Sequence, residues 1–339
     1  MSDAVAPPPT APTRGRRALV ALLAGLWGGA LCLAMLLLLP DKMAGDVTTT
    51  YRAAVALLHG LDPYTVVVAR AYPFDQDWFY PLPAAFVLLP LTPFSYHVAG
   101  ALFFTISCAL LGYTVTRDGY ERLPLFFSVP FLFAAHGAQW APFIMAASAF
   151  PGIARGLLVV KPNLGLAAFA ARPTGGAVLG ALALVVAGVA LVPAWPLEWL
   201  HNARSSPYAK IPIATLLGPL LLLAALRWRT PEGRLLLAMA CIPQFPFFYD
   251  ALPLWLVART QREALNLTWC SWAAFAGWLA FSFDWTTRNV LMPTALPWVV
   301  ALIYLPALVI VLRHRPAAGT SRPRRSYDSQ PNPTEVSPT

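Results

Sequence analysis

From Ala18 to Leu39 the chain carries neither a charge nor a proline, and Arg14, Arg16 and Arg17 stand immediately before that run. About twenty apolar residues in a helix match the roughly 30 Å hydrocarbon core of a bilayer. The rest of the sequence repeats the theme. Of its 339 residues, 58% are hydrophobic and 12% charged, against roughly 25% charged in a soluble domain. The predicted fold class is therefore an all-α polytopic membrane protein. A net charge of +9 does not point to nucleic acid. The basic residues sit in short clusters between apolar runs, as the positive-inside rule expects.

Residues 1–17 and 314–339 are rich in Pro, Ala, Ser and Arg, and their composition predicts disordered cytoplasmic tails flanking a membrane domain over 18–313. The first apolar run is longer than a signal-peptide h-region and lacks a small-x-small cleavage site before Pro40, so it reads as a retained signal anchor. Cys32, Cys108, Cys241 and Cys270 lie in apolar segments, with no CxxC pair and no Cys/His spacing suited to zinc. They read as small core hydrophobes, and neither a disulfide framework nor a metal site is expected.

The arginine clusters thread the chain. With Arg14–Arg17 in the cytoplasm, residues 41–95 form an outer loop. Within it, Tyr51, Ala54, Val55 and Leu58 recur at helical spacing and predict an amphipathic helix lying on the membrane surface. Further segments turn at Arg117/Arg122, Arg155, Arg172, Arg227–Arg234, Arg259/Arg262 and Arg313. Lys161-Pro162-Asn163 interrupts an apolar stretch flanked by Arg155 and Arg172, which predicts a short re-entrant hairpin with Lys161 near its turn. In all, about 10–12 transmembrane or re-entrant helices are expected, with both termini cytoplasmic. Asp46, Asp62, Glu198 and Asp250 then fall on the outer side.

Several residues could carry chemistry. Asp46 opens the surface helix, either as an N-cap or as a general base at the mouth of a cavity. Lys161 either snorkels to the cytoplasmic face or clamps a lipid phosphate. Gln139, on a turn with Trp140, either joins helices or binds ligand. Asp250 follows a Pro-broken helix, where it either pairs with Arg204 or Arg288 or ends the helix in water. Arg52, Arg70 and His136 are outer-face candidates for phosphate or sugar contacts. There is no Gly-rich phosphate loop, no HExxH and no GxSxG.

Asp46, Tyr51-Arg52-Ala53-Ala54, Gly60-Leu61-Asp62-Pro63-Tyr64 and Tyr80-Pro81-Leu82-Pro83 together resemble the first-loop pattern of the glycosyltransferase 87 family. That family comprises polyprenyl-phosphate-mannose-dependent mannosyltransferases of the GT-C fold. Gly137-Ala138-Gln139 is similar to the family's Gly-Gln element, with Ala138 intervening, and Lys161-Pro162 to its Lys-Pro element. The resemblance implies an inverting transfer of a sugar, mannose by analogy, from a polyprenyl-phosphate donor to a lipid or glycan hydroxyl. The transfer would take place on the outer face of a bacterial inner or plasma membrane. It implies Asp46 as the catalytic base. Arg52, Tyr64, Arg70, Tyr80, His136, Gln139, Lys161, Arg204 and Asp250 would bind substrate, with no cofactor beyond the lipid-linked donor. Membrane lipids, that donor and a glycolipid or glycan acceptor are the expected partners. A lipid transporter or flippase and an inactive GT-C-like scaffold are the competing classes. Broken helices and an intramembrane lysine suit a transporter as well.

Overall fold

The structure is a computed structural model that describes residues 11–38, 45–66, 78–206, 209–283 and 292–314. Every regular element among them is helical, and Lys210 and Gln244 form a single antiparallel bridge. In chain order the helices are α1 (Arg14–Leu38), α2 (Gly45–Leu58), α3 (Pro63–Val66), α4 (Pro83–Leu88), α5 (Tyr96–Val115), α6 (Val129–His136) and α7 (Ala141–Ala147). They continue with α8 (Pro162–Ala171), α9 (Gly175–Leu191), α10 (Trp195–Ser205), α11 (Pro231–Cys241), α12 (Gln261–Phe281), α13 (Leu296–Val299) and α14 (Leu305–Arg313). Tightly wound 3₁₀ segments fill many of the gaps, notably Leu123–Phe127, Gly152–Val160, Gly218–Arg227 and Phe248–Val257.

Three stretches are long and apolar enough to cross a membrane: Arg14–Met35, Tyr96–Val115 and Leu296–Arg313. A fourth candidate is α9 followed by α10, bent by 105°. Between lipid-like helices there is little hydrophobic drive to associate, so small residues that allow close approach matter most. Helices α1 and α5 meet that way. A Cβ added at Gly28 would lie 2.5 Å from Cys108 Sγ. Gly156 likewise rests directly on the backbone of Gly180 and Ala181, which seats the Gly152–Val160 segment against α9.

Side-chain contacts define two ends. At one, Arg17 Nη2 donates to Tyr113 O (2.8 Å), Arg122 Nε to Ala258 O (3.0 Å) and Arg234 Nη2 to Ala171 O (2.7 Å). Arg227 Nη2 donates to Leu312 O (2.8 Å), and Arg259 pairs with Glu232 (3.0 Å). The arginine clusters thus gather at a common basic end. At the other end, Tyr51 Oη donates to Phe94 O (2.7 Å), Tyr64 Oη to Tyr80 O (2.8 Å), Trp199 Nε1 to Phe79 O (2.9 Å) and Asn202 Nδ2 to Trp78 O (3.3 Å). These bonds tie α2, α3, α10 and residues 78–94 into an aromatic end.

Some expectations are corrected. Helix α1 begins at Arg14, inside the segment read as a tail, because Thr13 Oγ1 accepts from Arg16 N (3.4 Å) and Arg17 stacks on Tyr113 (4.0 Å). Helix α2 is rotated from its expected stripe. Val47, Thr48, Thr50, Ala53 and Ala54 are buried, while Leu58 is 61% exposed. Trp78 Nε1 donates to Thr50 Oγ1 (3.4 Å), so the threonine face packs inward against the first loop. Cys32 and Cys108 are buried as expected, but Cys241 is exposed. The positions of Arg70, Arg288 and the outer parts of both tails lie outside the described residues.

Replacing Gly156 with Leu should force the 3₁₀ segment off α9 and destabilise the protein by about 1–3 kcal/mol. Gly175→Ala, where an added Cβ meets nothing within 4 Å, should leave stability unchanged or raise it by roughly 0.5–1 kcal/mol. Thermal unfolding of the two variants in detergent checks the contrast.

Candidate functional site

Three hairpins start and finish at the basic end. The first climbs from Arg122 through Leu123–Phe127 and α6, turns at Gly137–Trp140, and descends through α7 to Ser148. The second rises over Gly152–Val160, turns at Lys161, and descends through α8 to Arg172. The third rises through α11 from Glu232, turns over residues 242–247, and descends through Phe248–Val257 to Arg259. The ten residues of α8 and the eleven of α11 are each about 15 Å long at 1.5 Å per residue. Starting from one face of a bilayer, arms of that length would reach about halfway through its core.

Proline and local sequence set the turns. Pro162 occupies the first position of α8, where its missing N–H costs nothing. Pro243 and Pro246 stop α11 from continuing. Ala138 adopts φ 46°, a left-handed conformation that disfavours a residue with a Cβ, and it turns the chain so that Gln139 faces inward. Ser128 N-caps α6, and Ser271 Oγ of α12 accepts from Val129 N (3.2 Å), which satisfies one of the donors left without an intrahelical partner at the helix start.

The tips meet. Lys161 Nζ lies 2.9 Å from Asp250 Oδ1 and 3.4 Å from Gln139 Oε1, with the Tyr249 ring 5.2 Å away. Lys161 is 6% exposed and Asp250 1%. Asn163 Nδ2 donates to Asp250 Oδ2 (3.0 Å) and to Gln244 Oε1 (3.2 Å). Phe245 N donates to Asp250 Oδ2 (3.0 Å). The Asp250 carboxylate thus accepts three hydrogen bonds, which suits an anchor rather than a base. Because Asn163 donates to Gln244 Oε1, the Gln244 amide orientation is fixed. Its Nε2 is buried without a partner among the described residues, as is Trp140 Nε1 on the adjoining tip. Gln244 thus keeps an unspent donor within a network that contains a buried ion pair, and an unspent donor of that kind suits an oxygen acceptor such as an ordered water or a ligand oxygen.

Of the residues singled out from the sequence, Gln139, Lys161 and Asp250 come together. Lys161 does not snorkel, and Asp250 pairs with it rather than with Arg204, because the third hairpin carries Asp250 inward instead of to the outer water; Arg288 lies outside the described residues. Tyr80 is linked to the cluster indirectly, with its ring 5.8 Å from Trp140. Tyr64 is half-buried and fastens the first loop through its bond to Tyr80 O. His136 is half-buried at the end of α6, and Arg52 half-buried on α2. Arg204 is exposed in the last turn of α10 and is not part of the cluster. Asp46 lies in the first turn of α2; its side chain, like Arg70, lies outside what is described.

Asn163 and Gln244 were missed as site residues. Asn163 had a signal, two positions beyond a lysine in an apolar stretch. Gln244 lies between two prolines that mark a break in an apolar run, and a buried polar residue at such a break needs a partner.

Comparison with protein-family models, with curated proteins and with solved structures finds no match for this chain.

Lys161→Met should strand Asp250 and cost about 3–5 kcal/mol. The double variant Lys161→Met/Asp250→Asn should recover most of that loss, since a neutral amide oxygen still accepts from Asn163 and Phe245. Equilibrium unfolding in mixed micelles measures both. A single variant no less stable than the double would contradict a charged pair.

Proposed function

We propose that this chain is an inverting glycosyltransferase of the membrane. In this reading it moves a sugar, mannose by resemblance, from a polyprenyl-phosphate donor to a hydroxyl of a lipid or glycan acceptor. The observation that carries the reading is the buried Lys161–Asp250–Asn163–Gln244–Gln139 cluster, with an unspent Gln244 donor, joined through Trp140 to Tyr80 of the first-loop pattern (5.8 Å). The basic end is taken as cytoplasmic on the positive-inside rule, and the aromatic end as the outer, cell-envelope side.

The chemistry follows from charge. The acceptor oxygen attacks the anomeric carbon as the carbon–oxygen bond to the lipid phosphate breaks. The acceptor proton passes to Asp46, a base role worth roughly 10²–10⁴-fold. Negative charge accumulates on the departing polyprenyl phosphate. Lys161, held by Asp250 so that it is pre-positioned, and the unspent donor of Gln244 would stabilise that charge in a water-poor site. The donor arrives activated, so the proposal requires no nucleotide and no further cofactor.

A second reading, a lipid transporter, is favoured by the three interrupted hairpins, which resemble the broken helices at transporter midplanes. The two readings separate experimentally. In proteoliposomes given labelled polyprenyl-phosphate mannose, Asp46→Asn should lower sugar transfer at least a hundredfold while the protein remains folded. Wild-type transfer by that variant would remove Asp46 from the mechanism. Movement of lipid between leaflets without any sugar transfer would favour the transporter.

A further inference from the structure

The basic end contains a cavity of about 120 Å³ lined by Arg117, Arg122, Arg155, Arg172, Asp118 and Glu232. That is well above the roughly 10–15 Å³ of such volume that one water needs, so a small polar group has room there. Four arginines from three chain segments line it. The hairpins deliver them: Arg117 and Arg122 flank the turn after α5, Arg155 lies in the rising arm of the second hairpin, and Arg172 follows α8.

Positive-inside charges require only water. Two of these, Arg122 and Arg155, do more than face water. Arg155 Nε is buried and has no hydrogen-bond partner among the described residues, although its Nη1 reaches Arg172 O (3.4 Å). Arg122 is fixed through Nε to Ala258 O (3.0 Å), which positions its terminal nitrogens. None of the four arginines is within ion-pairing distance of a carboxylate among the described residues. Glu232 is committed through Oε1 to Arg259 (3.0 Å), which lies outside the lining. Its Oε2 is buried and without a hydrogen-bond partner among the described residues. The cavity therefore presents an excess of planar cationic donors, one orphaned donor and one orphaned acceptor. Guanidinium groups match phosphate oxygens bidentately, and convergent arginines in a partly enclosed site bind such anions far better than in open water.

We infer that this cavity binds a phosphate ester at the basic end, remote from the hairpin-tip cluster. An ester carrying a hydroxyl or ammonium group suits it better than bare phosphate, because Glu232 Oε2 can accept from that group. The ester comes either from the headgroup of an anionic phospholipid or from a soluble phosphate compound. The inference does not depend on the glycosyltransferase reading.

The test uses the full chain purified in neutral detergent. Native mass spectrometry would count phosphatidylglycerol and phosphatidylcholine retained from an equimolar mixture, and thermal unfolding would be followed with inorganic phosphate and with glycerol 3-phosphate. Preferential retention of phosphatidylglycerol, falling at least tenfold in Arg117→Gln/Arg172→Gln, assigns the site to a lipid headgroup. Stabilisation by glycerol 3-phosphate above that from inorganic phosphate, lost in the same variant, assigns it to a soluble ester. Both replaced residues are exposed, so folding should survive. Arg155→Lys, which keeps the charge but removes the planar fork, should weaken binding several-fold in either case. Equal binding by wild type and both variants overturns the inference and leaves the arginines as topological signals only.

Discussion

The ion pair between Lys161 and Asp250 locks together the tips of two hairpins that also pack along α8 and α11. Each charge alone would be costly at that depth: insertion scales set roughly 2.5–3.5 kcal/mol for a lysine or aspartate at the centre of a bilayer. Paired, and with Asn163 and the Phe245 amide completing the carboxylate, the charges fix the register of one hairpin tip against another. Replacing both by apolar residues could be neutral for stability. What the pair supplies is position, because it permits one arrangement of Gln139, Asn163 and Gln244 around a shared centre.

The same geometry explains why only three or four stretches among the described residues are long and apolar enough for a full span. A hairpin that turns at mid-depth leaves its turn backbone without the intrahelical bonds that lipid demands. Here those groups are covered by other parts of the protein. The Lys210–Gln244 bridge binds the third tip, and Ser271 and Thr268 of α12 bond to Val129 N and Pro124 O beside the first hairpin. The long helices α1, α5 and α12 act as the wall, and the interrupted segments as the filling. Polar function is thereby placed in the interior while apolar surface faces outward along α1, α9 and α12.

Much of this was legible in the sequence. The uncharged run after Arg17 gives α1. The arginine spacing gives the basic end and, through Arg155 and Arg172, the second hairpin with Lys161 at its turn. The partner of Lys161 was not legible, because Asp250 is 89 residues away and periodicity carries no information on which tip meets which. Prolines 243 and 246 show that α11 breaks, yet not that the chain turns inward there. The surface helix was misread for a related reason. Tyr51, Ala54, Val55 and Leu58 have the right spacing for an apolar stripe, but Thr48 and Thr50 are buried and Trp78 donates to Thr50, and that inward threonine face outweighs the pattern. Ala138 illustrates the same limit: its left-handed backbone is a property of the closed turn, not of alanine.

The account places lipid-phosphate chemistry at the meeting point of the three hairpins. The most direct test is photo-crosslinking of the reconstituted protein with a polyprenyl phosphate that carries a diazirine next to the phosphate, followed by peptide mapping. The account predicts label on peptides containing Gln139–Trp140, Lys161–Asn163 or Gln244–Asp250, competed away by unmodified polyprenyl phosphate. Label confined to the basic end or to the outward faces of α1 and α9 would contradict it.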